Sequence, residues 1–292
     1  MKFVASSTDL LSHLQAISRV ISTKNTLPIL DNFLFELRGN ELVITASDLE
    51  STMITTMSLE NADGEGVIAI PARIITDTLK EFPEQPLTFE INNDSMGVDL
   101  ISENGKYSIV GKPGIDFPQL PSLKEDKTTE VSFASDMLLK GINRTLFATA
   151  DDELRPVMNG IFVELDLESV TFVSSDAHKL VRCRRMDAKS SQEASFILPK
   201  KPANLLKNIL PKEENNVTLS FDDKNAVFTL SNYKLICRLV EGNYPGYEAV
   251  IPKNNPNLLT IDRLAIYNTL RRVSVYSNQA SNLVKLHLKA NE

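Results

Sequence analysis

The chain has 292 residues, of which 42% are hydrophobic and 24% charged, ordinary globular proportions that argue against global disorder. The formal net charge of −7 speaks, at face value, against a nucleic-acid ligand. No window approaches the ~18 consecutive apolar residues of a membrane-spanning helix, and the start, MKFVASSTDLL, lacks the apolar run of a signal peptide.

In chain order, Leu10, Leu11, Leu14, Ile17, Val20 and Ile21 recur at helical spacing and predict an amphipathic helix over Asp9–Ser22. Ser7, Thr8 or Asp9 can cap its start. Strand-like runs follow: FLFELRG from Phe33, ELVITAS from Glu41 and STMITTMSL from Ser51. IPAR then introduces a second helix over about Ile74–Phe82, which Pro83 stops. LTFEINN, SMGVDLIS and GKYSIVG read as further strands. The order helix, strands, helix, strands predicts an α+β unit, with antiparallel sheets covered on one side by two helices.

That order recurs. Thr8–Leu11 resembles Ser135–Leu138, and Asn32–Glu36 resembles Asn159–Glu164. Ser47-Asp48-Leu49 returns as Ser175-Asp176-Ala177, Ile70–Pro83 as Leu198–Pro211, and Asp116–Pro118 as Asn243–Pro245, each 127 or 128 residues on. A period of this length is domain-sized and far exceeds a solenoid repeat. A third copy begins at Ile261, and NLVKLHLKANE places Asn291 and Glu292 where Asn40 and Glu41 fall. The expected domains are 1–125, 126–252 and an incomplete third over 253–292. Cys183 and Cys237 sit inside apolar strand-like runs, which predicts buried free thiols and a reducing, cytoplasmic setting.

Charge is partitioned by element. The helical stretches 9–24, 72–81, 135–149, 198–212 and 261–273 hold 13 basic and 5 acidic residues, and the remainder 18 basic and 33 acidic. Basic helices aligned side by side would offer a polyanion a sequence-independent surface through phosphate contacts and counterion release. Tryptophan is absent and no stacking-aromatic pattern occurs, so a duplex backbone suits the surface better than unstacked bases.

Catalytic and cofactor signatures are missing. His13, His178 and His287 form no metal-ligand spacing, and there is no P-loop, G-x-G-x-x-G or G-x-S-x-G. Neither metal nor cofactor is expected. VSSDAHKL, Val173–Leu180, places Ser175, Asp176 and His178 close together, and a hydrolase centred on them is one alternative. Triad members, however, come from separate elements. The first repeat carries Ser47-Asp48-Leu49-Glu50 at the same place without a histidine. A strand-end turn in which Asp48 and Asp176 bond nearby backbone amides accounts for the shared pair. The acidic runs at Asp151–Glu153 and Lys212–Asn216 read as solvated loops.

TLPIL with Asn32, SDLE (Ser47–Glu50), IPAR, DFP, Asn159-Gly160, SDAHKL and LVEGNYPGYEAVIPK (Leu239–Lys253) together resemble the bacterial DNA sliding clamps, the beta subunit of DNA polymerase III. The resemblance runs the length of the chain. It implies a ring of similar domains, helices inside and sheets outside, that encircles duplex DNA and tethers the polymerase without catalysis. It further implies a head-to-tail homodimer, a separate ATP-driven loader, and repair proteins docking by short hydrophobic peptides. Lys24, Arg73, Lys200 and Lys201 match basic positions that face DNA in the family. Arg144, Lys207, Arg271 and Arg272 join them from the helix charge count. The peptide pocket of the family maps to Met158, Ser175, Ala177, His178, Lys179, Leu180, Pro245 and Val250. Tyr107 and Ile109 match one side of the ring interface, Val275 and Tyr276 the other. Departures are Ala177 where glycine is usual, Lys179 for arginine, and Ala249 where a basic residue is common. Because the chain ends inside the third domain, this form is expected not to close a ring. A non-encircling DNA-binding scaffold is the remaining alternative.

Overall fold

The computed structural model describes residues 1–124, 128–278 and 281–288. The expected 125/126 boundary and the matched Asn291 and Glu292 lie outside the described residues. The chain divides into two compact units, Met1–Pro245 and Gly246–Glu292.

The first unit opens with a strand that the sequence pattern concealed. β1 (Lys2–Ser6) buries Phe3 and Ala5 by simple alternation, and its short length runs directly into the helix start. α1 spans Ser7–Ser18, and its cap is Ser6, whose Oγ accepts from the Asp9 amide at 3.4 Å. The expected Asp9–Ser22 helix is therefore corrected at both ends. Val20 and Ile21 lie past its end in a turn closed by backbone bonds to Ile17 and Ser18. Val20 is nonetheless fully buried, so the apolar stripe reads on after the helix has stopped. β2 (Asn32–Arg38), β3 (Glu41–Ser47), β4 (Ser51–Ser58), β5 (Ala62–Asp63) and β6 (Gly66–Pro71) follow. α2 occupies Ala72–Lys80 rather than Ile74–Phe82, because Pro71 already serves as its N-cap residue. β7 (Pro86–Asn92), β8 (Gly97–Ser102), β9 (Gly105–Val110) and β10 (Lys112–Pro113) complete the first repeat.

The second repeat retraces this order. β11 (Thr129–Ala134) leads into α3 (Ser135–Thr145), then β12 (Gly160–Leu165), β13 (Val170–Ser175), β14 (Leu180–Arg185) and β15 (Ala194–Pro199). α4 (Lys200–Ile209) precedes β16 (Asn216–Phe221), β17 (Asn225–Thr229) and β18 (Tyr233–Arg238). Short 3-10 turns at Leu146–Ala148 and Leu210–Lys212 end the helical stretches expected over 135–149 and 198–212.

Every strand pairing is antiparallel, and the architecture is α+β. Among the described residues three sheets form, in the orders β5-β1-β7-β8-β9, β14-β13-β12-β15 and β10-β6-β2-β3-β4-β18-β17-β16-β11. The last crosses the repeat boundary. β4 pairs with β18 from Ser51 opposite Cys237 to Thr55 opposite Tyr233, so backbone hydrogen bonds join the two repeats.

One hydrophobic core runs through both repeats, with Phe3, Phe33, Phe35, Phe89, Phe172 and Phe228 among its fully buried side chains. Each such burial stabilises by about 1.5–3 kcal/mol. α3 reaches its sheet through Gly141, where an added Cβ would lie 2.5 Å from the Phe172 ring. Cys183 and Cys237 are buried free thiols, and burial pushes Cys237 up to about 12.

The second unit holds a 3-10 turn at Tyr247–Val250 and α5 (Arg263–Ser274), with Asp262 accepting from the Ala265 amide as its cap. The expected helix over 261–273 is thus placed, and none of its residues is buried. No helix among the described residues is long and apolar enough to cross a membrane.

Candidate functional site

The β13–β14 connection is built on one carboxylate. Asp176 Oδ1 accepts from the His178 amide at 3.0 Å and the Lys179 amide at 2.9 Å. Its other oxygen takes the Lys179 ammonium. That bond, aided by the Lys179 and His178 amides, holds the Asp176 carboxyl well below the usual carboxylate range. Ser175 Oγ donates to the Lys179 carbonyl at 2.9 Å and accepts from the Ala177 amide at 3.1 Å. Ser175 and Asp176 are therefore committed to the backbone and to Lys179, as a turn requires and a nucleophile with its base does not.

The first repeat builds the same turn. Asp48 Oδ1 accepts from the Glu50 and Ser51 amides at 3.0 and 2.7 Å, and Ser47 Oγ accepts from Leu49 at 3.2 Å. Leu49 at φ +77° and Ala177 at φ +72° occupy matching left-handed positions. Side chains carry a steric cost there that glycine escapes.

Around the second turn lie other residues of the expected pocket. Met158 is buried at the end of the Pro156–Met158 3-10 turn. Gly242, at φ +120°, approaches Val157 so closely that a Cβ would meet its Cγ1 at 2.9 Å. Tyr244 stacks on Phe162 with centroids 4.8 Å apart and planes 1° from parallel. Burial pushes the Tyr244 hydroxyl up to about 12, against a smaller opposite pull from the Ser175 backbone. Leu180 begins β14 opposite Ser175, half-buried, while Ala177, His178, Lys179 and Pro245 are exposed. Met158, the turn and the segment before Pro245 thus share one end of the second repeat. Phe162 and Tyr244 belong to this neighbourhood and escaped sequence reasoning. The aromatic immediately before Pro245 was the available signal. Val250 lies in the second unit, 70% exposed.

The basic positions divide into two groups. Lys24, Arg144 and Lys207 are exposed without an ion pair among the described residues. Arg73 is exposed and only loosely paired with Asp77, at 3.7 Å. Lys200 is bound to Asp151 at 2.5 Å, drawing one residue of the acidic run out of its expected role as plain solvated loop. Lys201 donates to Asp48 at 2.5 Å and to the Val20 carbonyl at 2.6 Å. In the second unit Arg271 lies over the Tyr267 ring at 5.7 Å, and Arg272 donates to Thr269.

At the expected ring-interface positions, β9 is a terminal strand of its sheet, with one edge free of strand partners among the described residues. Tyr107 on it is 45% exposed and meets Phe82 edge-on at 5.3 Å, whereas the Ile109 side chain points into the core. Val275 and Tyr276 follow α5 and are exposed.

Comparison with known proteins gives concordant matches. Residues 1–121 match the N-terminal domain and residues 132–246 the central domain of the DNA polymerase III beta subunit family. The chain is 29% identical over 99% of its length to the beta sliding clamp of Synechocystis sp., and 28% identical over its whole length to that of Escherichia coli. It spans 79% of each relative. Among solved structures, a Pseudomonas aeruginosa sliding clamp bound to griselimycin superposes with a TM-score of 0.90 at 26% identity, over 97% of this chain and 76% of the other.

Proposed function

The chain belongs to the DNA polymerase III beta subunit family, the bacterial sliding clamps, and from that premise we propose how its residues divide the work. The chain is a processivity factor, a non-catalytic polymerase subunit of a family that binds DNA and polymerase partners. A tether of this kind raises the polymerase's effective concentration at the primer end, so processivity follows from topology rather than from tight binding.

Residues 1–125 and 126–252 are read as two clamp domains and 253–292 as the beginning of a third. Lys24, Arg73, Arg144 and Lys207 present cations to the duplex backbone, with Lys200 and Lys201 beside them. Met158, Ser175, Ala177, His178, Lys179, Leu180 and Pro245 receive short hydrophobic peptides from the replicative polymerase, the clamp loader and repair proteins. The griselimycin-bound relative supports a ligand site in the family. In the head-to-tail homodimer of the full-length family, the positions of Tyr107 and Ile109 on the β9 edge would face those of Val275 and Tyr276 in a second copy, with Ile109 contributing backbone rather than side chain. A cytoplasmic location fits the two buried free thiols.

The single observation carrying this reading is the joint: two repeats of one design fused edge to edge by β4 and β18, as a ring of repeated domains requires. The test is retention on DNA. Made with a chain that carries a complete third domain and placed on a nicked circle by a clamp loader, the protein should remain until the circle is cut and then slide off the ends. Equal retention on linear and circular DNA would favour a non-encircling scaffold.

A further inference from the structure

A groove of about 170 Å³ lies between α1 and α4, lined by Ser12, Gln15 and Arg19 from the first repeat and by Asn208, Lys212 and Tyr233 from the second. Its walls belong to different repeats, so the groove exists only because the joint holds them together. Arg19 is the C-cap residue of α1, and Lys212 ends the 3-10 turn after α4. Neither has an ion pair among the described residues, in contrast to Lys200 and Lys201, which are bound to carboxylates. No carboxylate lines the groove. Gln15 brings a carboxamide, and Asn208, whose Nδ2 donates to Asn204 at 2.7 Å, keeps a second amide hydrogen. Two cations without an ion pair among the described residues, set among hydroxyl and amide donors, suit a phosphate-sized anion.

We propose that this groove seats a phosphate of the duplex backbone at the boundary between the two repeats, held by Arg19 and Lys212. The proposal rests on the DNA-binding reading above and adds to it a site that neither repeat could form alone. It also gives Arg19 and Lys212 a purpose beyond their favourable placement at helix C-terminal ends.

His13 is a built-in local reporter. Its ring lies 5.7 Å from Tyr233 and faces Asp9, 3.7 Å away on α1, and Thr55 on β4. Burial lowers its pKa most; Asp9 raises it, and the Lys212 charge lowers it further. An anion that neutralises Lys212 should therefore raise the His13 titration midpoint.

The experiment measures binding of a short blunt-ended duplex to the whole chain across a salt series, with NMR titration of His13. The double variant Arg19→Gln/Lys212→Gln should reduce the slope of log K against log salt by about two units. Duplex should raise the His13 midpoint in the parent chain and not in the variant. An unchanged slope in this variant, with a reduced slope for Lys24→Gln/Lys207→Gln, would overturn the groove and leave the DNA reading standing. No change in either variant would overturn both. A His13 response to inorganic phosphate at matched ionic strength but none to duplex would assign the groove to free phosphate and overturn the proposal.

Discussion

Lys201 and Asp48 meet across the repeat boundary: the Lys201 ammonium lies 2.5 Å from Asp48 Oδ2, although 153 residues separate the two in the chain. The same ammonium donates to the Val20 carbonyl in the turn just past α1. Through the repeat, Lys201 stands where Arg73 stands in the first domain, one position after the residue that opens the helix. One repeat position therefore serves two ends. Arg73 is 94% exposed on its side chain, while Lys201 ties one repeat to the next.

Removing the tie should be felt in stability. Lys201→Met leaves the Asp48 side chain, only 11% exposed, without its cation. The expected cost is about 1–2 kcal/mol, discounted from the charged hydrogen-bond range because the lysine itself is partly solvated. Lys200→Met should cost less than about 0.5 kcal/mol, since its partner is exposed. Urea denaturation of both variants checks the ranking.

Left-handed residues offer a gain. Ala177→Gly and Leu49→Gly each relieve a positive-φ side chain at φ +72° and +77°. The relief of about 1–2 kcal/mol exceeds glycine's entropic cost of up to about 1 kcal/mol. A rise in stability of about 0.5–1 kcal/mol is expected for each, read from the same denaturation curves. A loss would mean that the turn tolerates its side chains without strain.

His13 makes the joint sensitive to acid. Thr55 Oγ1 donates to the Asn232 carbonyl at 2.9 Å and so accepts from His13 Nδ1, 2.5 Å away. Burial lowers the His13 pKa below 6.5, so between that lowered value and 6.5 the unfolded chain binds more protons than the folded one. This contribution to stability is complete above 6.5 and falls as pH drops through that window. His13→Gln should flatten the fall in melting temperature from pH ~7.5 to ~5 relative to the parent. Parallel curves for the two proteins would remove His13 from the pH response.

At the proposed peptide site, Leu180→Asp places a charge on a half-buried position opposite Ser175 and should weaken binding of a hydrophobic peptide at least about tenfold. His178→Ala should weaken it more mildly, with no hydrolytic turnover to lose. Fluorescence anisotropy with a labelled peptide measures both.

Much of this was legible in the chain. The helix pairs, the buried thiols and the aspartate-centred turns follow from local pattern, because each depends on residues near in sequence, and the repeat follows from such patterns returning 127 or 128 residues on. β1 was not legible, since a five-residue strand flowing into a helix cap offers too little alternation to stand out. The extent of α1 was misread because Val20 continues the apolar stripe in a turn rather than a helix. The Lys201–Asp48 and Lys200–Asp151 pairs were hidden for a different reason. They are tertiary, and charge counted by element treats a lysine bound to a distant carboxylate like one left open to solvent. Arg19 and Lys212 lay inside the counted basic stretches, but nothing local marked them as the two sides of one groove.

The joint also has a mechanical meaning. β4 and β18 run antiparallel over five facing residue pairs, Ser51–Cys237 to Thr55–Tyr233. A force along the strands loads those backbone hydrogen bonds together, in shear. A force that lifts one strand end loads them one after another, as a zipper opens. A motor that must part such domains would meet least resistance by peeling, and a polymerase pulling its tether along the strand direction would meet most.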